Sequence, residues 1–143
     1  MKTYLAAYSF TLIAFLVIDF IWLSTMASRL YRPAIGDLLA ENFRLAPAIV
    51  FYLIYAAGLT FLAVRPALIS GEWTTALLYG AAVGFMAYAT YDLTNQATLK
   101  NWSTTLTVAD LLWGTFVSAA AAIIGYLVTV RLIGPLENSA GLS

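Results

Sequence analysis

Residues 88–102 read Tyr-Ala-Thr-Tyr-Asp-Leu-Thr-Asn-Gln-Ala-Thr-Leu-Lys-Asn-Trp, "YATYDLTNQATLKNW". An apolar run from Trp73 to about Thr94 leads into this stretch, and a second, from about Val108 to Ile133, leaves it. A membrane span needs ~20 apolar residues. Two runs of that length joined by a short polar turn make an antiparallel pair of membrane helices. The stretch also sets Asp92 and Asn95 late in the upstream helix. A polar side chain facing lipid at that depth would be left without a partner. The pair of helices must therefore pack against other elements.

The rest of the chain supplies them. Tyr4 to Met26 is apolar apart from Asp19. Ala46 to Val64 is apolar, opened by Pro47 and closed by Arg65-Pro66, and Gly134-Pro135 closes the last run. No run alternates apolar and polar residues as a barrel strand does, so the expected class is all-α: a four-helix transmembrane bundle. Lys2 and a cleavable Thr25-Met26-Ala27 give the first run the look of a secretory leader. It is longer than the usual ~7–15-residue apolar region and carries an acid, so it is read as a span. Residues 27–45 hold Arg29, Arg32 and Arg44 among Ile35, Leu38, Leu39 and Phe43 at helical spacing. That pattern suggests an interfacial amphipathic segment lying on the bilayer. Residues 1–135 then form one integral membrane domain, and 136–143 a short polar tail.

Composition agrees. The 143 residues are 62% hydrophobic and 10% charged, against about a quarter charged in a soluble domain. Net charge is zero without a basic block, which argues against nucleic acid. With no cysteine and no histidine in the sequence, disulfides, thiolate chemistry and His- or Cys-ligated metals are excluded. No metal and no cofactor is expected. Four spans put both termini on one side, with Lys2, Arg65 and Arg131; the far side carries Arg29, Arg32, Arg44 and Lys100. That balance sets no orientation by the positive-inside rule.

The topology gathers the acids. Helices one and three run away from the terminal face, and Asp19 and Asp92 lie late in them; Asp110 lies early in helix four, which starts at the far face. All three carboxyls fall toward that face. Ala76, Gly80 and Gly84 form a small-xxx-small seam that continues by fours to Tyr88 and Asp92; Asp110, Gly114, Ser118 and Ala122 form another. Facing seams would turn Asp92 and Asp110 into protein. The expected binding set is Asp19, Trp22, Tyr91, Asp92, Asn95 and Asp110, open to the face of residues 27–45. Each acid also has a plain structural reading. Thr107-Val-Ala-Asp110 fits a capping box. Asp92 could end its helix with Thr94 and Asn95 and pair with Lys100. Asp19 could pair with Arg29, Arg44 or Lys100. Trp22, Trp102 and Trp113 at the far face, and Trp73 at the other, read as interfacial anchors rather than a cation cage.

Asp19-Phe-Ile-Trp-Leu23, Tyr31-Arg-Pro-Ala-Ile-Gly36, Ala46-Pro-Ala48, the string from Gly84 to Asn95 containing "ATYDLTN", Ala97-Thr-Leu99, Asp110 and Trp113-Gly114 resemble a family of small bacterial membrane proteins, domain of unknown function 2177. The resemblance runs from helix one to helix four. It implies a four-helix protein of the bacterial inner membrane, and carries no activity and no catalytic residue. Three functions fit the sequence. A transporter or permeation unit, built as a homodimer, would use the deep acid of helix one, a layout similar to small multidrug-resistance transporters. An accessory or structural subunit would use the seams to bind a membrane-protein partner. A membrane enzyme acting on lipid would use the carboxyls near headgroups or acyl chains. The lipid bilayer is a partner in all three.

Overall fold

The computed structural model describes residues 1–136, so the expected tail, 136–143, lies outside the described residues beyond Leu136. Four long helices follow one another: α1 Lys2–Leu38, α2 Leu45–Ser70, α3 Trp73–Thr98 and α4 Thr104–Ile133. No strand occurs among the described residues. α1, α2 and α4 are long and apolar enough to cross a membrane. α3 is as long but less apolar, diluted by glycine, tyrosine and its polar end. Its depth follows from packing: Gly80 and Gly84 lie against Ser118, Ala122 and Gly114 of α4, so α3 runs antiparallel to a spanning helix at the same level.

The seam is an absence of side chains. A Cβ placed on Gly84 would strike the Gly114 carbonyl oxygen and come within 2.6 Å of the Ser118 side chain, while one on Gly80 would stand 2.9 Å from the Ser118 carbonyl oxygen. Tyr88 lies over Gly114 one turn further. Backbones at this separation gain dispersion contacts that lipid chains cannot replace. α4 is the central helix. Its other face takes α1, where Thr11 fills the space over Gly125 and Phe15 packs with Val117 and Ala121.

The structure corrects several boundaries, among them the end of α3, which runs to Thr98 rather than about Thr94. The second helix does not stop at Arg65-Pro66; a π turn, Thr60–Val64, carries it on to Ser70. Proline lacks an N–H and its ring crowds the carbonyl four residues back. A wider turn absorbs both defects. Arg32-Pro33 repeats the device: α1 passes through a π turn, Ala27–Tyr31, into Arg32–Ile35. Residues 27–38 thus extend α1, and no separate amphipathic helix forms there. The interfacial character survives in Leu38, Leu39 and Phe43, which are all exposed. The α2–α3 turn is tight because Gly71 adopts φ 73°, with its N–H bonded to the Ala67 carbonyl at 2.8 Å. α4 begins earlier than its apolar run, at the Ser103 cap, whose hydroxyl accepts from Leu106 N–H at 3.2 Å.

Candidate functional site

The fours-spaced seam that brings α3 onto α4 ends in Asp92 on one side and Asp110 on the other. Asp19 of α1 joins them from the other face of α4. The three carboxyls are 6% (Asp19), 0% (Asp92) and 4% (Asp110) exposed. All three turn into protein.

Each acid meets neutral groups. Asp19 accepts from the Tyr52 hydroxyl at 2.5 Å and from the Trp113 indole N–H at 3.1 Å. Asp110 accepts from the Tyr31 hydroxyl at 2.7 Å. Tyr31 in turn accepts from the Trp22 indole N–H at 3.0 Å, and Trp22 stacks on Trp113 with ring centroids 4.3 Å apart. The two acids are therefore joined through Tyr31, Trp22 and Trp113. Tyr31 reaches inward because helical side chains lean toward the N-terminus. Its ring hangs back from the π turn toward Trp22 and Asp110. Asp92 lies against Asp110, and neither of its oxygens has a hydrogen-bond partner. One proton held between the two carboxyls would supply the missing bond.

These contacts dispose of the plainer readings. Asp110 is not a cap, because Ser103 caps α4 and Asp110 lies well inside the helix. Asp92 is not paired with Lys100, since both oxygens are unpartnered. Neither Arg29, Arg44 nor Lys100 borders the space around Asp19. Trp113 gives its indole N–H to Asp19, whereas Trp73 is exposed.

A cavity of about 370 Å³ opens among the four helices. Asp19 and Asp110 form its acidic wall, and Tyr52, Tyr88, Tyr91 and Trp113 much of its aromatic wall. A second cavity, of about 660 Å³, shares Leu23, Tyr31, Tyr91 and Asp110 with the first and is bordered by Arg32 and Arg44. It forms a vestibule on the face of residues 27–45. Trp102 stands edge-on to Tyr91 at its rim, with centroids 5.9 Å apart.

Of the expected residues, Asp19, Tyr91 and Asp110 line the inner cavity, and Trp22 braces it. Asp92 stands behind Asp110. Asn95 is half-buried and bonds no acid: Asp92 lacks a partner, and Asp19 and Asp110 accept only from tyrosine and tryptophan. Tyr31 and Tyr52 escaped the sequence reading as ligands of the acids. No local pattern marks Tyr52 among its aromatic neighbours. Tyr31 carried a signal, as the aromatic residue before Arg32-Pro33.

A family model described as "Predicted membrane protein (DUF2177)" matches residues 4–127. The chain belongs to that family. The match takes in every residue of the acidic cluster and both π turns. No curated protein and no solved structure matches the chain.

Proposed function

We propose that the chain is a transporter or permeation unit of the bacterial inner membrane, formed by residues 1–135 as one domain, with Asp19, Asp92 and Asp110 as its intramembrane acidic site. One observation carries the reading: residues from all four helices enclose a cavity with two carboxyls in its wall, and that cavity adjoins a vestibule at one membrane face. Buried acids within membrane helices characteristically mark substrate or ion pathways. A site that only held helices together would close on itself and leave no room at the carboxyls.

Reconstitution tests it. Proteoliposomes of the intact protein should move a charged solute, read as flux or as a change in membrane potential, and Asp19→Asn should stop it. Vesicles with folded protein that are no leakier than empty ones toward cations and protons overturn the reading. A lipid-modifying enzyme is the second reading. Its support is that Arg32, Arg44 and Asp110 line one vestibule, where guanidinium groups suit a phosphate, and it calls for a changed lipid profile on deletion of the gene, with no flux.

A further inference from the structure

No basic side chain lines the acidic cavity itself; Arg32 and Arg44 border the adjoining vestibule. Among the described residues Tyr52 and Trp113 donate to Asp19 and Tyr31 to Asp110. Asp92 lies fully buried behind Asp110, and with one proton shared between the two the pair still carries one negative charge. Hydrogen bonds from neutral groups stabilise a carboxylate without cancelling its charge. At low dielectric the imbalance attracts a cation from outside. The wall also selects the kind of cation. Tyr88, Tyr91, Tyr52 and Trp113 line it, and aromatic surface suits an alkylated ammonium, which sheds its hydration more readily than a small hard ion.

A second space settles what the cation carries. Between α1 and α2 runs a groove of about 590 Å³, walled by Leu16, Val17, Phe20, Ile21 and Ile49 among others. It shares Leu23 and Tyr52 with the acidic cavity. Phe20, Ile21 and Ile49 are exposed, so in a bilayer the groove opens sideways into lipid. The apolar groove thus meets the acidic cavity at Leu23 and at Tyr52, the tyrosine that bonds Asp19.

We infer that the four-helix cavity binds amphipathic organic cations, an ammonium head at Asp19 and Asp110 with its apolar tail in the α1–α2 groove, entering sideways from the bilayer. This rests on the transport reading for its purpose and stands on binding alone for its proof. The head belongs either to an aminophospholipid of the bilayer or to a free amphipathic amine; the recognising chemistry is the same.

The test is calorimetric titration of the intact protein in an uncharged maltoside detergent, with octyltrimethylammonium, tetramethylammonium and octanesulfonate. Octyltrimethylammonium should bind at least about tenfold more tightly than either other probe, a tenfold step corresponding to about 1.4 kcal/mol. Asp19→Asn, with folding checked by its melting curve, should weaken it by about tenfold or more. Ile49→Trp fills the groove without touching an acid. It should lower the affinity for octyltrimethylammonium toward that for tetramethylammonium, and it keeps the test decisive if Asp19→Asn fails to fold. Aminophospholipid enriched with the purified protein and lost in Asp19→Asn identifies a bilayer source; no enrichment with octyltrimethylammonium binding retained identifies a free amine. Equal binding of octanesulfonate, or an unchanged affinity in folded Asp19→Asn, overturns the inference. Binding as expected with no flux in vesicles overturns the transport reading and leaves this one standing; flux without binding does the reverse.

Discussion

Substituting Gly84 with alanine adds one methyl group where α3 meets α4. That methyl would overlap the Gly114 carbonyl oxygen and lie 2.6 Å from both Cβ and Oγ of Ser118. Carbon atoms sit comfortably at about 3.5–4.0 Å, so the shortfall against Ser118 is about 1 Å. The Ser118 hydroxyl is held by Tyr55 at 2.7 Å, and the Gly114 oxygen is backbone. Neither yields cheaply. The helices must part by about that distance, loosening the contacts at Gly80 and Tyr88 on either side. Overpacking costs about 1–3 kcal/mol, and a backbone obstacle places this case at the upper end. Gly58 is the control: it lies in α2 with nothing within 4 Å of a built Cβ. Alanine there should gain about 0.5–1 kcal/mol from the helix preference alone. The same chemical change should thus act with opposite sign at the two positions, about 3–4 kcal/mol apart. Unfolding by dodecyl sulfate in mixed micelles, followed by circular dichroism, measures both. Equal effects, or a Gly84→Ala variant as stable as the parent, refute the reasoning.

Other expectations follow from the same geometry. Trp113→Phe removes the indole donor to Asp19 and should destabilise by about 1.5–3 kcal/mol in the same assay, the figure for a hydrogen bond to a charged group. Asp92→Asn keeps the size and gives Asp110 an amide donor; stability should hold or rise by about 1 kcal/mol, and a fall of that size would show that Asp92 has a partner of its own. Gly114→Ala drives its methyl into the Tyr88 ring and should displace that ring into the cavity, so it should weaken octyltrimethylammonium binding more than its loss of stability explains. Cysteines at Lys2 and Leu136 should be labelled by an impermeant reagent from one side, and a cysteine at Asn101 from the other.

The membrane class, the helical class and the existence of the seams were legible in residue order. Apolar runs of spanning length need no tertiary knowledge, because the bilayer fixes the length and every backbone group in it must be satisfied within a helix. The four-residue repeat of Gly80, Gly84, Tyr88 and Asp92 against Asp110, Gly114, Ser118 and Ala122 is likewise a property of one dimension. It named the facing residues because a short turn leaves two helices no choice but to run antiparallel. Arg65-Pro66 was misread for a related reason. Proline is a stop signal where hydrogen bonding is strictly four residues back, and the π turn relaxes that condition.

What residue order could not give is which donors serve the acids. Asp19 and Tyr52 lie 33 residues apart, Asp19 and Trp113 94, and Tyr31 and Asp110 79. Such pairings depend on the rotation of each helix about its own axis, and the hydrophobic pattern sets that rotation weakly when almost every face is apolar. In a soluble helix the polar stripe marks the outside. In a bilayer lipid and protein interior are equally apolar, and the rotation is decided by where side chains are small enough for backbones to approach. Sequence therefore placed three acids near one face and turned Asp92 and Asp110 toward protein, while close packing of the helices decided that Asp19 joins them around a cavity, with tyrosine and tryptophan rather than lysine and arginine to meet them.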